Sequence, residues 1–114
     1  MQYILLIYGP DPGQSPSADG AAQMSAEYAD LTASLHADGS FLAGEALHPV
    51  ATATTVRVRD GKATFTDGPY VEGAEVANGY YVLSASDRDE AVKIASMIPA
   101  TSVELRQLAG ISGL

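Results

Sequence analysis

Within nine residues, Asp67, Tyr70, Glu72 and Glu75 place three carboxylates and a phenol beside the turn Gly68-Pro69. A carboxylate held toward an apolar cavity has its charged form desolvated, and its pKa then rises toward the range useful for moving protons. Asp67 is therefore the candidate general base or acid. Tyr70 follows it directly after the turn, and His48, before Pro49 in a loop, is the candidate proton shuttle. Glu45, Glu72 and Glu75 are candidate ligand-binding groups whose oxygens suit polar or cationic partners. A simpler reading stands beside this one: an aspartate at a turn often hydrogen-bonds its own backbone.

The elements that would position these groups follow from periodicity. Thr54 to Arg59 and Lys62 to Thr66 alternate apolar with polar residues around Asp60-Gly61, the dipeptide of two-residue type I′ hairpins. That loop length sets Arg59 opposite Lys62, Val58 opposite Ala63, Val56 opposite Phe65 and Thr54 opposite Asp67. Asp67 then shares the face of Phe65 and Val56. Gly68 and Pro69 end the strand. The other face carries Arg57, Arg59, Lys62 and Thr64, a solvated row that gathers three of the six basic residues.

Around the hairpin the chain reads as strand, helix, strand on one side and strand, helix, strand on the other. Tyr3 to Tyr8 is a short run without alternation, which fits a strand apolar on both faces. A helix is expected from Ser15-Pro16, with Met24, Tyr28, Leu31 and Leu35 as its stripe, stopping near Asp38-Gly39. His36 suits the cationic end of that helix. Phe41 to Leu47 is a second strand, in which Gly44 marks a bulge or a close backbone approach. Asn78-Gly79 reads as a turn before a strand over Tyr80 to Leu83. Asp87 and Glu90 open a helix whose stripe is Ala91, Ile94, Ala95 and Ile98, ending before Pro99. Val103 and Leu105 alternate in a last strand, and Ala109 to Leu114 form a tail.

This order is a ferredoxin-like βαββαβ plan of the α+β class with an inserted hairpin, within a single domain over 1–114. Two helices can cover only one face of such a sheet, so a homodimer, sheet against sheet, is the expected cover for the other.

Composition bounds the partners. With 14 acidic against 6 basic residues the chain carries a formal charge of −8, which repels phosphate backbones and anionic membranes. No nucleic-acid or membrane partner is expected. There is no cysteine, so thiol chemistry and disulfides are excluded. The apolar N-terminal run lacks a basic lead and is too short to span a bilayer, and a cytoplasmic protein is expected. No EF-hand spacing, no His pair at i, i+4, no phosphate-binding glycine loop, no dinucleotide fingerprint and no nucleophile elbow occurs, so neither metal nor cofactor is expected.

Gly44-Glu45-Ala46-Leu47, Ala53-Thr54-Thr55-Val56-Arg57, Asp60-Gly61, Thr66-Asp67-Gly68-Pro69-Tyr70, Glu72, Glu75 and Gly79-Tyr80-Tyr81 together resemble the YCII-related proteins of the DGPF type, over nearly the whole chain. The resemblance implies a ferredoxin-like fold paired into a dimeric α+β barrel. It carries over Asp67, with Glu45, Glu72 and Glu75. Two positions depart from the family pattern: Tyr70 stands where a Phe is usual, and Ala74 where a Lys separates the glutamates. The wider YCII group has been linked to a His and Asp pair, and neither His36 nor His48 has a motif match for that role.

Two classes of function follow. The dimer is either a cofactor-independent enzyme, of an isomerase, lyase or oxygenase kind, that holds a small organic molecule and moves a proton with Asp67, or a non-catalytic ligand- or partner-binding regulatory module. Fold analogy does not separate them.

Overall fold

The computed structural model describes residues 1–11 and 18–110, and side chains from Ala26 onward in the first helix. Six strands and two helices follow in order: β1 (Gln2–Gly9), α1 (Ala18–Ala37), β2 (Phe41–Ala46), β3 (Thr54–Arg59), β4 (Lys62–Asp67), β5 (Val76–Ser84), α2 (Arg88–Ala95) and β6 (Ser102–Gln107). Four strands form one antiparallel sheet in the order β2-β5-β1-β6, while β3 and β4 pair only with each other. This is the α+β, ferredoxin-like arrangement expected, with the hairpin standing apart from the main sheet. The N-cap expected at Ser15-Pro16 and the tail beyond Gly110 lie outside the described residues, as does the side chain of the stripe residue Met24.

The core sits between the sheet and the helices. Tyr3, Leu5 and Ile7 of β1 and Tyr81 and Leu83 of β5 point one way, onto Leu35, Ala91, Ile94 and Ile98. Leu5, Leu35 and Leu83 are fully buried, each stabilising the fold by about 2 kcal/mol of apolar transfer. The alternate residues Ile4, Leu6, Tyr80 and Val82 are half-buried on the opposite face, against which neither helix packs. Both strands are thus apolar on two faces, one of them open.

Helix ends follow local chemistry. Gly39 takes φ +81° after α1, and Asp38 Oδ1 accepts the Ser40 amide at 2.9 Å. Hydrogen bonds from the Ser40 hydroxyl and amide hold the Asp38 carboxyl below its ordinary pKa. At α2, Asp87 is the N-cap and its Oδ1 accepts from the Glu90 amide at 2.9 Å, while the Ser86 hydroxyl donates to the Glu90 carboxylate. Regular α2 stops at Ala95, and Ile98 is buried from the turn that follows.

One expected turn is a bulge instead. β5 runs through Asn78 and Gly79: Gly79 pairs with Ile7 and Ala77 with Tyr8, so Asn78 is the extra residue of a β-bulge. Its side chain explains why the strand does not break there. Asn78 Nδ2 donates to the Pro10 carbonyl at 3.1 Å, tying the bulge to the end of β1. Gly79 lies so close to β2 that a Cβ would stand 2.8 Å from the Glu45 carbonyl oxygen.

Candidate functional site

A cleft of about 930 Å³ lies between α1 and the end of the sheet where β1 finishes and β5 begins. Its floor depends on Gly44. A Cβ there would meet Tyr81 Cδ1 at 2.7 Å, so glycine is what lets the Tyr81 ring lie against β2. The Tyr81 hydroxyl and Thr32 Oγ1 share a hydrogen bond of 2.8 Å, and the Phe41 ring meets Tyr81 edge-on at 5.9 Å. Tyr28 stands one helical turn before Thr32 and donates to the Pro99 carbonyl at 3.4 Å. Burial first, and the neighbouring Tyr81 second, raise the Tyr28 phenol above its usual 10.0, so it stays neutral at physiological pH.

The polar groups at the mouth hold the loops around it. Asp11 Oδ1 accepts the Val50 amide at 3.1 Å, linking the end of β1 to the 3₁₀ turn Val50–Thr52. Thr101 Oγ1 donates to the Tyr8 carbonyl at 3.3 Å. Asn78 Oδ1 is buried without a hydrogen-bond partner among the described residues. A cleft with an aromatic wall and a few convergent polar groups has the usual makeup of a small-molecule site.

Of the residues singled out from sequence, only Glu45 belongs to this cleft, on the wall beside Tyr80. Asp67 ends β4 opposite Thr54 and is exposed. None of the turn amides donates to its carboxylate; instead the Gly68 amide donates to the Ala53 carbonyl at 2.8 Å, and Thr55 Oγ1 donates to the Gly68 carbonyl at 2.8 Å. The turn is thus closed by β3 rather than by Asp67. Gly68 adopts φ +114°, and a Cβ on it would lie 4.0 Å from Glu72 Oε1, which places Glu72 back beside the turn. Tyr70 is exposed, with the Arg57 guanidinium 5.8 Å from its ring centroid. His48 is exposed in the loop after β2, and Glu75 accepts a hydrogen bond of 3.2 Å from Ser102 Oγ. Asp67, His48 and Tyr70 therefore do not line the cleft within one chain. Among the described residues no three His, Asp or Glu side chains gather closely enough to hold a metal ion.

Sequence reasoning missed Tyr28, Thr32, Phe41, Tyr81 and Asn78 as site residues. The spacing of Tyr28 and Thr32, i and i+4 on α1, was the one local signal that two polar-tipped side chains share a helix face.

No curated protein matches the chain. The family model of the YCII-related domain matches residues 1–108, nearly the full length, and the chain accordingly belongs to the YCII-related family.

Proposed function

We propose that this is a small-molecule-binding protein of the YCII-related family, of the DGPF type, that works as a homodimeric α+β barrel and holds a small organic ligand in the cleft between α1 and the sheet. The observation that carries this reading is the wall itself: Tyr28, Phe41 and Tyr81 line a cleft of about 930 Å³, where Gly44 leaves room for the Tyr81 ring and Gly79 lets β2 and β5 approach closely. Asp11 stands at the mouth of the cleft, in a chain of charge −8, so neutral or cationic organic molecules fit it better than anionic ones. Titration with neutral 2-naphthol, followed through backbone amide resonances, tests this. Saturable shifts grouped at Gly44, Leu47, Gly79 and Thr101 are expected; shifts scattered over the surface, or none, would overturn it.

Ligand binding without catalysis is the favoured form of this reading, because Asp67, His48 and Tyr70 stand outside the cleft. In the catalytic form, Asp67 moves a proton within a site that a second copy completes by covering the exposed face it shares with Phe65. Asp67→Asn then keeps fold and dimer while lowering the rate by about 10² to 10⁴. An unchanged rate would remove Asp67 from the chemistry.

A further inference from the structure

We propose that the cleft recognises a neutral, planar molecule by a carbonyl oxygen, which accepts the one hydroxyl proton that Thr32 and Tyr81 do not share with each other. The inference rests on the reading of the cleft as a ligand site and names what that ligand carries.

Tyr28 and Thr32 of α1 and Tyr81 of β5 bring three hydroxyls to one wall of the cleft, each with a single proton to donate. Tyr28 gives its proton to the Pro99 carbonyl. Thr32 Oγ1 and the Tyr81 hydroxyl oxygen stand 2.8 Å apart, and only one of the two can donate across that gap. Whichever does, the other keeps a proton that no group among the described residues accepts. Tyr81 is only 6% exposed, and a hydroxyl proton left unpaired in such a place is costly. A molecule that displaces water from this spot without offering an acceptor therefore loses affinity.

The donor is held ready. The Tyr81 ring is packed against Gly44 and met edge-on by Phe41, and Thr32 is fixed on a helix, so little further ordering is needed when a ligand binds. The flat rings of Tyr28, Phe41 and Tyr81 favour a planar partner. Charge narrows the acceptor: Asp11 at the mouth and the formal charge of −8 disfavour a carboxylate, which leaves an uncharged carbonyl.

Acetophenone and α-methylstyrene test this, because they share a shape and differ in having C=O or C=CH₂ beside the ring. Either hydroxyl alone would keep a proton to donate, so the variant substitutes both, Thr32→Val with Tyr81→Phe. Titrations followed through the amides of Gly44, Gly79 and Thr101 give each affinity; the ratio of ketone to hydrocarbon affinity should fall about fivefold from parent to variant. A ratio that stays the same, with both probes in the cleft, would overturn the carbonyl recognition and leave the ligand site standing. Failure of both probes to shift these amides in the parent chain would overturn both. A second readout needs no variant: extrapolated to saturation on the parent chain, the carbonyl carbon resonance of acetophenone should keep the downfield position of a hydrogen-bonded ketone. An upfield move toward its position in alkane would overturn the proposal even if the double substitution prevents folding.

Discussion

Asn78, Gly44 and Gly79 show how single residues shape this protein. The bulge at Asn78 lets β5 change register against β1 without breaking, and the two glycines bring β2 close enough for Tyr81 to become a cleft wall. Gly79→Ala should destabilise the chain by about 1–3 kcal/mol, because its Cβ would press on backbone, the Glu45 carbonyl at 2.8 Å, which cannot turn aside. Gly73→Ala, with 3.8 Å of clearance, is the control that should leave the denaturation midpoint unchanged. Tyr28 predicts an alkaline effect. Its folded pKa is raised, so the stability it contributes is fully present below its unfolded value near 10.0 and is lost as pH rises through the folded value. Tyr28→Phe should lack that part of the alkaline loss when midpoints are compared on either side of pH 10.0.

Among the elements, the hairpin was the most legible in sequence. Asp60 at φ 51° and Gly61 at φ 76° form the primed turn, and the register of Arg59 on Lys62, Val56 on Phe65 and Thr54 on Asp67 is the one the two-residue loop requires. Alternation told which side chains share a face; it carried no information about what that face meets, which is why Asp67 was expected at a cavity and is exposed in the single chain. Asn78-Gly79 was misread for a related reason. The same dipeptide suits a turn or a bulge, and the choice falls to tertiary partners, here the Pro10 carbonyl and β2. The cleft was illegible because Tyr28, Phe41, Tyr81 and Pro99 are distant in sequence and meet only through the sheet order. Since the hairpin pairs with no strand of the main sheet, Gly61→Val should loosen it by roughly one to a few kcal/mol while sparing the core. Amide exchange should accelerate over 54–67 and stay slow in β1 and β5; equal acceleration in both would mean that the hairpin and core unfold as one unit.

At the scale of the whole molecule the chain is a slab, 46 × 41 × 18 Å, thin because helices lie on one face of the sheet only. No helix among the described residues is long and apolar enough to cross a membrane. The open sheet face and the bare hairpin row are two apolar surfaces on one small chain, which the proposed dimer would have to cover. The catalytic form of the functional reading depends on this: a second copy would screen the Asp67 face from water and complete the barrel. Sedimentation equilibrium of the unmodified chain at micromolar concentration is the most direct test. The expected species has twice the 11.8 kDa of one chain; a single species of 11.8 kDa, with the amides of Ile4, Leu6, Tyr80 and Val82 shifting in concert with none of the protein's concentration, would contradict the account.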